Sequence, residues 1–275
     1  MCRLFLSINN ENIQSKIFDF LKQSNHKRKF TPGLDNHRDY DTNEDGFGFA
    51  WIETTKPQTW NIYKQPLMYL NDANLKHMFH NTNFFNHNIY IGHIREKNKS
   101  IVGEIHENNT HPFIYQNKIF VHNGTIKYFK HNAEKIRSFI SPDLRNEIKG
   151  DTDSETIFFL FLTFLQKYSI ETSLNKLFQL FKKNNIEISA NFIYGEPDYF
   201  VIVRYIYYNK KNYTRLQYPP SLYYFTENPI ENLLITSEPI TPEYKLFHEN
   251  TALIIKNQTP YTNFQKMNYK IIPLK

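Results

Sequence analysis

Glycine is scarce in this chain, and where it stands constrains the backbone more than any other feature. Only 8 of 275 residues are glycine, against about 7% in ordinary proteins. A residue used so sparingly marks positions where a side chain would not fit: a tight turn, a close backbone approach or a left-handed conformation. Six of the eight fall in five short clusters: Asp45-Gly46-Phe47-Gly48, Gly92-His93-Ile94-Arg95, Gly103, His122-Asn123-Gly124 and Gly150-Asp151-Thr152-Asp153. Each carries a polar or charged residue near a predicted strand end. Taken singly they read as turns, because Asn-Gly and Asp-Gly are common hairpin connections.

The segments between the clusters set the fold class. Residues 2–8 are short and apolar and predict a buried strand, and Ile13, Ile17, Phe18 and Leu21 recur at helical spacing within residues 11–24. Residues 26–44 are charged and polar, with Pro32 and Gly33, and read as a loop insertion. Strands are predicted at 45–52 and 88–95, with a helical stretch at 72–85 between them. A strand at 119–122 ends at Asn123-Gly124, and a helix follows to about residue 140. Thr152 and Glu155 have the spacing of a capping box ahead of the apolar run 157–165. A second helix is predicted at 171–183, then strands at 186–194, 199–208, 222–225, 233–236 and 253–256. Strands, helices and strands again imply a mixed α+β architecture of packed layers. With no internal repeat or linker, one domain over residues 2–275 is expected.

Composition removes several classes. Hydrophobic residues make up 40% of the chain, 24 Phe and 19 Tyr among them, which supports a packed core. The run 157–165 falls short of the ~18 residues a membrane span needs. Leu4-Phe5-Leu6 is too short for a signal-peptide core, so an intracellular, cytoplasmic protein without membrane contact is expected. A single cysteine excludes an internal disulfide and any multi-thiolate zinc site. His77 and His80 could share a helix face, but with no carboxylates beside them they read as surface, and no metal is expected. The net charge of +6 is spread over short knots at 26–29, 182–183 and 210–211, which read as solvated surface rather than a nucleic-acid footprint.

The one cysteine is residue 2. Methionine aminopeptidases remove Met1 before a small residue, which would leave Cys2 with a free α-amine. That amine, of ordinary pKa near 7.7–8.0, can take the thiol proton at neutral pH, so one residue would carry nucleophile and base. The competing reading is an ordinary buried cysteine.

In order along the chain, Met1-Cys2-Arg3-Leu4-Phe5, Asp45-Gly46-Phe47-Gly48, Gly92-His93-Ile94-Arg95, Asn109-Thr110-His111-Pro112-Phe113, His122-Asn123-Gly124, Thr152-Asp153-Ser154-Glu155 and Thr236-Ser237-Glu238-Pro239-Ile240 resemble the stand-alone class II glutamine amidotransferases. These are N-terminal nucleophile hydrolases. Phe47 stands where the family usually has Trp, and Glu96-Lys97-Asn98-Lys99 replaces small residues after Arg95. That charged run sits beside the expected substrate site and leaves the substrate's identity open.

The resemblance implies a four-layer αββα sandwich, two stacked and mostly antiparallel sheets covered by helices. It implies a γ-glutamyl amide substrate, glutamine or another small γ-glutamyl compound, opened through a thioester on Cys2. Asn123 and Gly124 take the oxyanion-hole roles, Arg95 the substrate α-carboxylate and Asp153 the α-ammonium, although Asp153 could equally complement the start of its helix. His111 and His122 line the pocket or serve as structural histidines. No cofactor is implied. Similar stand-alone enzymes include the γ-glutamyl hydrolase of ergothioneine synthesis and the glutathione-degrading amidotransferase, which works with a peptidase. A separate synthase or peptidase subunit is therefore a possible partner. The alternative is a catalytically idle binding or regulatory subunit of the same fold.

Overall fold

The period-two alternation of the strands sorts their side chains into three apolar layers. In β1 (Arg3–Ile8), Leu4, Leu6 and Ile8 point one way and Phe5 the other, and every residue of the strand is buried. The structure is a computed structural model that describes residues 2–24, 43–52, 59–96, 104–208, 221–228, 231–257 and 267–275. After β1 come α1 (Ile13–Lys22), β2 (Phe47–Ile52), β3 (Trp60–Gln65), α2 (Ala73–His80), β4 (Ile89–Ile94), β5 (Phe113–Tyr115) and β6 (Lys118–Ile126). Four helices follow: α3 (Phe129–Arg137), α4 (Pro142–Arg145), α5 (Asp153–Leu165) and α6 (Ile170–Lys183). The remaining elements are β7 (Ile188–Glu196), β8 (Tyr199–Tyr207), β9 (Tyr223–Phe225), β10 (Leu233–Thr236), β11 (Lys245–Leu246), β12 (Thr251–Asn257) and β13 (Met267–Pro273).

The strands form two antiparallel sheets, ordered β11-β9-β10-β1-β4-β2-β3 and β13-β12-β8-β7-β6-β5. Leu4, Leu6 and Ile91 of the first meet Ile119, Val121, Ile193 and Ile202 of the second in the layer between them. The outer face of the first sheet packs Phe5, Phe47 and Phe49 against Ile17, Phe20 and Leu21 of α1. The outer face of the second packs Phe120, Phe192 and Tyr205 against Phe158 and Phe161 of α5 and Phe178 of α6. This is the αββα sandwich that the resemblance implied.

The structure corrects several local expectations. β6 does not end at Asn123-Gly124; it runs on to Ile126, with Asn123 opposite Asn191 and Gly124 opposite Ala190. The pair is therefore mid-strand and not a turn. A Cβ at residue 124 would lie 2.1 Å from the Ser189 carbonyl oxygen, so glycine is required by that close approach. The capping box is half present. Thr152 Oγ1 accepts from Glu155 N at 3.2 Å, but the Glu155 carboxylate takes the backbone N–H groups of Lys149 and Gly150, at 2.9 and 2.7 Å, instead of reaching back to the cap. β3, β5, β11, β13 and α4 had no predicted counterpart. β13 and β3 are edge strands whose side chains are largely half-exposed or exposed, so they lack the buried alternation that announces a strand. Residues 25–42, which hold most of the expected insertion, lie outside the described residues, as do Lys97 to Lys99, Gly103 and the basic knot at 210–211.

At one end the layer between the sheets changes from apolar to polar. His93 of β4 reaches across to the second sheet, its Nε2 3.1 Å from the His122 carbonyl oxygen. The His111 ring stacks on His93 with centroids 3.9 Å apart and meets Phe113 edge-on. Burial holds all three imidazoles neutral: it pushes His93 down to about 3, His111 well below the ordinary histidine range and His122 down as well. The Arg95 charge adds to the depression of His93 and His111.

Because burial lowers the folded-state pKa of these rings below the unfolded value near 6.5, stability is lost as pH falls below about 6.5, by about 1.4 kcal/mol per unit for each ring that stays neutral. Urea unfolding at pH 7.5 and at pH 5 is expected to show that loss. His111→Phe, which keeps a ring in the stack and removes a titrating group, is expected to make the pH dependence shallower; an unchanged slope would mean that His111 is not held neutral.

Candidate active site

The alternation that sends Leu4 and Leu6 between the sheets sends Cys2 the same way, to the polar end of that layer. β1 lies between β4, with which it pairs from Arg3, and β10, with which it pairs from Phe5. Cys2 is half-buried. Its Sγ receives the Glu96 backbone N–H at 3.5 Å and lies 3.7 Å from the Glu96 carbonyl oxygen. Arg3 forms a buried ion pair with Glu238 at 3.1 Å and donates from Nη1 to the Cys2 carbonyl at 3.3 Å. Burial pushes the Cys2 thiol above its usual range. The amino-terminal charge, Arg95 and Arg3 pull it back, and Asp153 adds a smaller upward push. Arg95 and Asp153 are thus both near enough to the sulfur for their charges to act on it.

Arg95 follows β4 directly and is 5% exposed. Its guanidinium donates to two backbone carbonyls, Nη1 to Asp45 at 3.3 Å and Nη2 to Glu104 at 3.1 Å. The Asp45-Gly46 segment is clamped in return, since Arg95 N donates to the Gly46 carbonyl at 2.7 Å and Asp45 N to the Arg95 carbonyl at 3.3 Å. Asn109 joins the same frame: its Nδ2 donates to the Glu104 carbonyl at 3.2 Å and its Oδ1 accepts from Asp151 N at 3.0 Å. Gly46, with φ +142°, sits in a conformation that glycine accepts and side chains avoid. Three of the glycine clusters and the Asn109 segment are therefore joined around one arginine.

On the second sheet, Asn123 is 3% exposed and gives one amide N–H to Ser237 Oγ at 3.1 Å. Asp153, in the first turn of α5, accepts from Ile126 N at 2.9 Å through Oδ2, while Ser154 Oγ lies 3.4 Å from its Oδ1. His122 Nδ1 is 2.9 Å from Ser154 Oγ. His122 is thus hydrogen-bonded into the support of Asp153. His111 is 4% exposed, and neither of its ring nitrogens has a hydrogen-bond partner among the described residues. Cys2, directly before β1, and Arg95, directly after β4, lie with Asn123 and Gly124 of β6 and Asp153 of α5 at the polar end of the sandwich. His77 and His80 stand exposed on α2, away from it.

Three residues of this region carried no role in the sequence reading. The Glu96 backbone grips the sulfur, His93 bridges the sheets, and Ser237 binds both Leu4 N, at 2.8 Å, and Asn123. All three are in or beside segments that the sequence marked, but only burial separates a polar residue held inside from one in a surface turn. Among the described residues, no group of three or more His, Cys, Asp or Glu is placed to hold a metal ion, and no helix is long and apolar enough to cross a membrane.

Comparison with known proteins identifies a family and a fold. The family profile "Glutamine amidotransferases class-II" matches residues 1–203. The chain is 34% identical over 128 residues to the probable glutamine amidotransferase DUG3 of Saccharomyces cerevisiae; the match covers 46% of this chain and 34% of the yeast protein, about a third of its length. A glutamine aminotransferase class-II domain protein from Silicibacter pomeroyi superposes with a TM-score of 0.63 at 16% identity, covering 99% of both chains. The glutamine phosphoribosylpyrophosphate amidotransferase of Bacillus subtilis superposes with a TM-score of 0.57 at 14% identity, over 98% of this chain and 49% of that one. At these identities the two structures speak for the fold alone. The profile spans most of the chain and includes Cys2, Arg95, Asn123 and Asp153, and on that ground the chain belongs to the class II glutamine amidotransferases.

Proposed function

We propose that the protein hydrolyses the γ-amide of a small glutamyl compound, glutamine or a γ-glutamyl derivative, through a thioester on Cys2. The observation that carries this reading is the setting of the Cys2 sulfur. It lies at the start of a doubly flanked strand, gripped by the Glu96 backbone and within the fields of Arg95 and Asp153.

Once Met1 is removed, the α-amine of Cys2 takes the proton of its own thiol. Burial favours the neutral thiol at rest, so deprotonation is coupled to attack and no stable thiolate waits in the site. The sulfur adds to the amide carbon, and the carbonyl oxygen becomes an oxyanion. Asn123 has a second amide N–H to offer that oxyanion, and Gly124 its backbone N–H. The intermediate collapses as the Cys2 ammonium returns its proton to the leaving nitrogen, which departs as ammonia or an amine and leaves the thioester. Water then attacks, the amine takes its proton, and glutamate leaves as the thiol is restored.

Arg95 supplies a planar guanidinium for the substrate α-carboxylate, with backbone carbonyls already fixing its plane. Asp153 supplies the anion for the α-ammonium; a carboxylate has about four acceptor positions, so the bond from Ile126 N leaves capacity for it. The released ammonia either reaches solvent or passes to a separate synthase or peptidase subunit.

Incubation with 6-diazo-5-oxo-norleucine, followed by intact mass and peptide mapping, is expected to show Met1 absent and one adduct on Cys2. Met1 retained in natively produced protein would overturn the mechanism and favour a binding subunit. Cys2→Ala is expected to abolish glutaminase activity and labelling together. Asn123→Ala is expected to lower kcat by roughly 10²–10³-fold, the loss typical of one oxyanion donor. Arg95→Lys, which keeps the charge and loses the fork, is expected to raise KM by about tenfold or more with a smaller change in kcat.

A further inference from the structure

Ser237 follows β10 and is 3% exposed, and its hydroxyl oxygen sits where the two sheets meet. A serine oxygen has two acceptor lone pairs. Here one takes Leu4 N from β1 at 2.8 Å and the other takes Nδ2 of Asn123 from β6 at 3.1 Å. The main chain of Ser237 is fixed as firmly as its side chain, with its N–H donating to the Leu4 carbonyl at 3.1 Å and its carbonyl accepting from Ser221 Oγ at 3.1 Å. Asn191, opposite Asn123 in the β6–β7 ladder, donates from Nδ2 to the Ser221 carbonyl at 2.9 Å. The bonds close a ring from Asn123 through Ser237, Ser221 and Asn191 back to Asn123.

We propose that Ser237 is the positioning residue of the oxyanion hole: by holding one Asn123 amide N–H, it fixes the direction of the other. The inference rests on the reading of Asn123 as an oxyanion donor. An Asn side chain turns freely about its last torsion, and a donor is useful only while it points at the developing charge. Anchoring one of the two amide hydrogens removes that freedom before substrate arrives. The same oxygen holds Leu4, two residues from the nucleophile, so Ser237 also sets the spacing between the nucleophile's strand and the donor.

The test is a double-mutant cycle in the full chain between Ser237→Ala and Asn123→Ala, read in kcat and KM for glutamine hydrolysis. Ser237→Ala alone is expected to lower kcat by roughly 10–100-fold with KM within about threefold, since the donor is present but misdirected. In the Asn123→Ala background the same change is expected to cost less than about threefold, because no amide remains to be aimed. Equal losses in the two backgrounds, or a loss carried by KM, would overturn the proposal. Ser237→Cys, which fills the same space with a weaker acceptor, gives a smaller drop of the same kind and serves where the alanine variant folds poorly. Crystal structures of the unsubstituted protein and the Ser237 variant supply a readout that does not depend on activity: the Asn123 amide plane is expected to rotate, and an unmoved amide overturns the proposal. If the unsubstituted protein hydrolyses no glutamyl amide while the amide does rotate, the oxyanion reading of Asn123 has failed and the anchoring has not.

Discussion

The candidate site depends on the strand directly after Cys2 being held as a core element. Here β1 lies within the seven-stranded sheet, paired with β4 through Arg3 to Ile8 and with β10 through Phe5 to Ile8. Its side chains are buried on both faces, so the strand cannot shift register by one residue without turning Leu4, Leu6 and Ile8 away from the layer between the sheets. The Arg3–Glu238 pair adds a lock directly beside Cys2. Removing either partner would leave a buried charge uncompensated, a loss of about 3–5 kcal/mol in comparable cases.

The change from apolar to polar within a single layer gives the rest. Buried polar groups are costly unless bonded, and this end of the sandwich meets the cost with bonds that cross between sheets, from His93 to the His122 carbonyl and from Asn123 to Ser237. Those crossings fix the distance between the strand that carries the sulfur and the strand that carries the amide. Electrostatics follow the same plan. Burial weakens the ionised form of Cys2 and of the three histidines alike, while Arg95 stays charged and is held by carbonyl oxygens. The result is two arginines, Arg95 and the Glu238-paired Arg3, beside a neutral thiol in a region free of protonated rings.

Much of this could be read from the sequence because it rests on short-range patterns. The short apolar run in residues 2–8, the helical spacing of Ile13, Ile17 and Leu21 and the cap at Thr152 all recur in the structure. Asn123-Gly124 misled because the pair has the chemistry of a turn, while the Ser189 carbonyl that demands glycine belongs to a strand more than sixty residues later. Glu155 likewise has the spacing of a reciprocal cap, yet it binds Lys149 and Gly150, whose N–H groups the turn before α5 brings within reach. Ser237 stood in a recognised segment without a role, because its partners are Leu4 and Asn123, both more than a hundred residues away. Long-range partnership leaves no local trace.

The pairing of β1 with β10 also orders events in time. Phe5 lies opposite Thr236 and Ile8 opposite Leu233, so the strand that follows Cys2 gains its outer neighbour only after more than 220 further residues have been made. Contacts so distant in sequence pay their loop-closure entropy late and slow the assembly of a fold. During synthesis the helices α3 to α6 and the hairpin of β7 and β8 can form from local contacts, while β1 waits for its outer neighbour. A nascent chain stalled before β10 would hold Cys2 against Glu96 but lack Ser237 on Leu4 and Glu238 on Arg3, so the setting of the sulfur is completed by a segment more than 220 residues further along the chain.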